Sequence, residues 1–153
     1  MEKISTDALL ASFFARDDLN ALTAQAGQLL DCPILILDDA FHVISAYCPL
    51  DFRDELFQRT LRQGELTFEA SAALSQSQTL AAGAADFVRP EGGTCRRRIA
   101  PLISTGVRLG YLICPDADGH LSKLPEETWA AVERILAKQL FIETSRQDKP
   151  FET

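Results

Sequence analysis

Arg96, Arg97 and Arg98 stand in a row ahead of Ile99, Ala100, Pro101, Leu102 and Ile103, and they are the charge cluster that invites specific chemistry. A guanidinium offers a planar fork of donors that matches a carboxylate or a phosphate. On a strand, alternate side chains point to opposite faces. Arg97 then aligns with Ile99 and Ile103, whereas Arg96 and Arg98 align with Leu102. At least one arginine therefore begins a strand whose same-face neighbours are apolar. The competing reading is a solvated strand entrance, its arginines paired with surface acids. Tyr47, Phe68 and Tyr111 are the aromatic candidates for a small-molecule pocket, because a ring with a polar handle suits such a site. The alternative for each is ordinary core packing.

Catalytic frames are absent from the sequence. It has no Gly-rich phosphate loop, no G-x-S-x-G elbow and no H-E-x-x-H. Asp17-Asp18, Asp38-Asp39 and Glu126-Glu127 fall at expected turns or helix starts, where capping explains them. Neither His42 nor His120 is near a plausible nucleophile in sequence. Cys32, Cys48, Cys95 and Cys114 contain no C-x-x-C pair, so metal-ribbon spacing is missing. Such scattered thiols read as reduced, small core hydrophobes. The expectation is no enzyme, no metal and no cofactor.

The elements that must carry these residues follow from pattern. A chain of 153 residues and 16.9 kDa predicts a single domain over residues 1–153. Its 46% apolar content supports a core without staples. With 15 basic against 22 acidic residues the net charge is −7, which leaves no basic footprint for direct nucleic-acid contact. No apolar run nears the roughly 20 residues of a membrane span, and the first residues lack a secretory pattern. A cytoplasmic chain is expected.

Residues 1–30 read as two helices. Leu9, Leu10, Phe13 and Phe14 mark the first; Leu19, Leu22, Ala26, Leu29 and Leu30 form a stripe on the second. Residues 33–113 hold sheet and crossover: Ile34 to Leu37 and His42 to Tyr47 as one hairpin, helices over 51–82, then Asp86-Phe87-Val88. A second hairpin turns at Thr105-Gly106. The alanine- and serine-rich residues 75–85 read as a loose surface connection. Residues 123–147 form a long last helix, with Ser122 as its cap and a stripe from Trp129 to Ile142. The sum is an α+β domain with a mostly antiparallel sheet of about five strands. So many apolar helix faces leave surface for a second copy, predicting a homodimer through the terminal helices.

This order, with Leu29-Leu30-Asp31-Cys32-Pro33-Ile34-Leu35-Ile36-Leu37-Asp38 and Phe41 to Tyr47, resembles the GAF/PAS superfamily of sensor domains. More narrowly it resembles the GAF-like N-terminal domain of PucR-type (purine catabolism and sugar diacid) bacterial transcriptional regulators. Arg97-Arg98-Ile99-Ala100-Pro101-Leu102-Ile103 with Gly106 and Leu109-Gly110-Tyr111-Leu112 is similar to that family's closing hairpin, and Leu124-Pro125-Glu126-Glu127 opens its long helix. The resemblance implies terminal helices on one sheet face and crossover helices on the other. It implies a ligand pocket on the crossover side and a ligand-driven signal through the terminal helices. Arg96 or Arg98 at the rim would then anchor an anionic metabolite. Two alternatives stand beside the sensor: a dimerisation module with no ligand, and a small GAF-scaffold thiol enzyme such as a sulfoxide reductase. A closed polar-lined cavity of a few hundred Å³ would favour the sensor over the first.

Overall fold

The computed structural model describes residues 18–89 and 95–147, together with the helical positions Asp7, Leu10 and Ala11. The first expected helix otherwise lies outside the described residues. Helix α1 (Leu19–Leu30) starts where Asp18 accepts a hydrogen bond from the Ala21 N–H at 2.9 Å. It ends at Asp31, left-handed at φ 55°, before Cys32 and Pro33. Strands β1 (Ile34–Asp38) and β2 (Val43–Tyr47) form the first hairpin, its turn tied by Asp38 Oδ1 accepting from the Ala40 and His42 amides.

The crossover holds α2 (Glu55–Gln63), α3 (Phe68–Gln76) and α4 (Gln78–Ala81), capped by Asp54, Thr67 and Ser77 in turn. Residues 75–85 thus lie mostly at the surface, as expected, but they are in good part helical rather than loose. Ser77 Oγ accepts from the Leu80 N–H at 3.1 Å, and the Leu80 side chain is drawn into the core. Strands β3 (Asp86–Val88), β4 (Arg97–Ser104) and β5 (Val107–Pro115) follow. A 3-10 turn (Leu121–Lys123) leads to α5 (Glu126–Gln147). Ser122 does not cap α5; its hydroxyl donates to the Gly119 carbonyl at 3.3 Å inside that turn.

All pairings are antiparallel, in the order β2-β1-β5-β4-β3. Gly110 sits opposite Asp38 in the register, and a Cβ there would come within 1.9 Å of the Leu37 carbonyl oxygen. The Leu-Gly-Tyr run of the closing hairpin therefore has a packing cause: only hydrogen fits between β5 and β1. Pro101 falls past Ile99, the last β4 residue paired with β3. There β4 is an edge among the described residues, where a missing N–H is tolerated.

Alternation sends the strands' side chains into two cores. On one face Ile34, Ile36, Leu102, Leu112 and Cys114 meet Leu22 and Leu30 of α1 and Trp129, Val132 and Leu136 of α5. On the other, Leu35, Leu37, Ile99, Tyr111 and Ile113 meet Phe57 of α2, Leu74 of α3 and Leu80 of α4. Terminal helices on one face and crossover helices on the other is the expected α+β architecture. Among the described residues the stripe of the last helix is largely consumed within one chain: Trp129, Val132, Ile135, Leu136 and Leu140 are buried, and Phe141 is left 40% exposed. No helix among the described residues is long and apolar enough to cross a membrane.

Candidate functional site

Arg97 shares its face with Ile99, and that face looks toward the crossover helices. Its Nη2 pairs with Asp54 Oδ2, and its Nη1 donates to the Cys95 carbonyl at 2.7 Å. Cys95 Sγ lies 3.5 Å from the same nitrogen. The two charged side chains are 4% and 0% exposed. Asp54 Oδ2 also accepts the Phe57 N–H at 2.8 Å, so one carboxylate both caps α2 and neutralises the arginine. Beside this pair is a cavity of about 40 Å³, walled by Leu35, Leu56, Phe57, Leu74, Ile113 and Arg97. The chamber is lined almost wholly by apolar side chains, so as it stands it suits a small apolar group, and an anion would have to draw the Arg97 guanidinium away from Asp54 to be held there.

Arg98, the next residue, points through the opposite face. Its Nη1 donates to Glu133 Oε2 at 2.6 Å, and its guanidinium lies 3.7 Å above the Trp129 ring. Burial pushes the Glu133 carboxyl above its ordinary value, although the Arg98 charge pulls the other way. Arg98 therefore grips α5 and does not touch the cavity. Arg96 is exposed, packs its guanidinium over Phe87 at 4.6 Å and stands 3.8 Å from Asp116 Oδ2.

The aromatic candidates disperse as well. Tyr47 packs against the terminal-helix core, where its ring covers Gly27 of α1. Phe68 opens α3 and is 84% exposed. Tyr111 lies on the cavity's side of the sheet, buried and stacked on Phe41 at 5.5 Å. Of the five sequence candidates, Tyr111 is the one in the core on that side. Arg97 is the wall residue passed over, although its alignment with Ile99 was the available signal.

Cys32, Cys95 and Cys114 are buried and Cys48 half-buried; all four are free thiols. A hydrogen bond with Cys114, then burial, hold the Cys32 thiol well above its ordinary pKa, opposite to what a nucleophile needs. Away from the cavity, Asp116, Asp118 and His120 form a second polar cluster in the loop after β5.

A five-stranded antiparallel sheet between terminal and crossover helices defines a GAF-like fold. Among solved structures, the phycoerythrobilin-bound GAF domain from a cyanobacterial phytochrome is similar, with a TM-score of 0.51 at 16% identity. The match covers 95% of this chain and 98% of that one. No protein-family model matches the sequence, and no curated protein does.

Proposed function

We propose that this chain is a small-molecule-sensing regulatory domain, of the kind that serves PucR-type bacterial transcriptional regulators, and that it carries out no chemistry of its own. The observation that carries the reading is a pair of consecutive residues on β4. Arg97 lines the cavity and Arg98 holds α5 through Glu133 and Trp129. A ligand shifts an equilibrium only by its differential affinity for two states. An anion drawing Arg97 from Asp54 would tilt β4, and the same tilt would move the Arg98 grip on the long helix. That the similar phytochrome GAF domain holds a small molecule fits this reading.

Size constrains the ligand. A cavity of about 40 Å³ has room for roughly three water molecules. A metabolite enters only if α3 moves outward, or if it is very small. The same figure favours a second reading, a module kept for its helices with its pocket filled by side chains. Homodimerisation through the terminal helices belongs to both readings; the exposed apolar side chains it has to work with include Leu10 and Phe141, each 40% exposed.

A thermal-shift screen of small carboxylates and phosphates separates the two. A ligand at one hundred times its dissociation constant adds about 2.7 kcal/mol of stability. The sensor reading expects at least one anion to raise the melting temperature and to change the fluorescence of Trp129, the single tryptophan. It expects both effects to vanish in Arg97→Met. No shift by any anion, or shifts that persist in that variant, leaves the filled module standing.

A further inference from the structure

We propose that Asp116, Asp118 and His120 form a binding site for a divalent transition-metal ion of the zinc class. The three lie at alternate positions in the loop leaving β5. Each offers a ligand atom, all within 4.8 Å of one another. Three features set this cluster apart from an ordinary acidic turn.

The first is the histidine. His120 Nε2 lies 2.8 Å from the Leu30 carbonyl at the end of α1, a distance at which it donates. Nδ1 contacts Asp118 Oδ1, an acceptor, so without an ion Nδ1 carries a proton as well, and a cation binding there would take that proton's place between the two side chains. Metal-ligating histidines are oriented in this way, with the second nitrogen donating to a carbonyl or carboxylate. The second feature is Asp116, whose side chain is 1% exposed. Its Oδ1 accepts the Leu121 N–H at 3.1 Å, but its Oδ2 is buried with no hydrogen-bond partner. Arg96 Nη2 stands 3.8 Å from that oxygen, beyond hydrogen-bond range. That ion pair offsets part of the cost of burying an oxygen with no hydrogen-bond donor, and a bound cation would offset the rest.

The third feature is access. The Asp118 side chain is 70% exposed, which leaves the ion one side open to water. A groove of about 300 Å³ reaches the cluster past Asp31 and Asp51, and its acidic lining favours a cation. Imidazole with two carboxylates suits zinc and its transition-metal neighbours; magnesium and calcium prefer oxygen alone. The ion would tie the loop that enters α5 to the end of α1 through His120 and the Leu30 carbonyl. This proposal rests on residues separate from the cavity reading.

The test is calorimetric titration of the chelator-treated full chain with zinc chloride, with magnesium chloride as the control. The expected result is one zinc per chain and no magnesium heat at the same concentrations. Asp118→Asn and His120→Ala should each weaken zinc at least about tenfold, and Phe68→Ala, at an 84% exposed side chain outside the cluster, should leave it unchanged. Asp118 is exposed, so its variant keeps the fold, which circular dichroism verifies. Cobalt substituted for zinc should give visible absorption without a thiolate charge-transfer band. Absence of zinc binding, equal affinity in Asp118→Asn, or a thiolate band pointing to the cysteines overturns the proposal.

Discussion

Burying Arg97 and Asp54 removes two charges from water, and their mutual contact together with the Cys95 carbonyl and Phe57 amide repays that cost. Such a pair is weak grounds for stability as a whole, but removing one partner strands the other. Arg97→Met should therefore destabilise by about 3 kcal/mol. Arg97→Met combined with Asp54→Asn should recover part of that loss, because asparagine still caps α2 while shedding the charge; urea unfolding of the set measures the coupling. At Glu133 the sign is different. Its folded pKa is raised from the ordinary 4.5, so the folded state holds its proton more tightly. Stability is present below pH 4.5 and declines as pH rises through the raised value. Glu133→Gln, which keeps a partner for Arg98, should flatten that decline in urea midpoints taken between about pH 4 and 7. Alternation along Arg96, Arg97 and Arg98 was legible in the sequence. The resemblance also put a pocket on the crossover side, but which of the arginines would face that side was not legible, because that depends on which face of β4 α2 covers.

Helices and hairpins were largely readable because their ends carry local chemistry. Asp18 and Thr67 cap as their types predict, and Thr105-Gly106 turns β4 into β5. The helical turns within residues 75–85 were not readable. One leucine among alanines and serines gives no period, and α4 exists because Leu80 finds a core contributed by distant strands. The two-residue Thr105-Gly106 turn places both residues at positive φ, 53° and 79°. A β-branched residue pays for that conformation, and Asn-Gly is preferred there. Thr105→Asn should stabilise by about 0.5–1 kcal/mol, read from the urea midpoint. Between α1 and β2, a Cβ on Gly27 would fall 2.1 Å from Tyr47 Cδ2. Gly27→Ala should cost about 1–3 kcal/mol by forcing the ring aside, despite alanine's better helix propensity. In a Tyr47→Ala background the same substitution should become neutral or favourable. Equal costs in both backgrounds would locate the clash elsewhere.

Across the whole molecule the two faces of the sheet are unequally anchored. α1 buries six residues, including Leu19, Leu22, Ala26 and Leu30, against α5 and the strands. α3 buries only Leu74 and α4 only Leu80. Opening free energy follows buried apolar contact, so the layer over the cavity has the least to lose by lifting. That inequality follows from composition: Phe68, the bulkiest residue of α3, faces outward, and the residues after it are mostly small. It also supplies what a ligand larger than about 40 Å³ needs, a wall that yields while the helices behind the sheet hold. Native-state hydrogen exchange should therefore find the amides of α3 and α4 protected less than those of α1, β1 and β5 by about two orders of magnitude. Leu74→Ala should widen the gap by releasing α3 while leaving α1 protection unchanged. If α3 exchanged only by global unfolding, at the rate of the central strands, the cavity would have no door. The filled-pocket module would then be the better description of this fold.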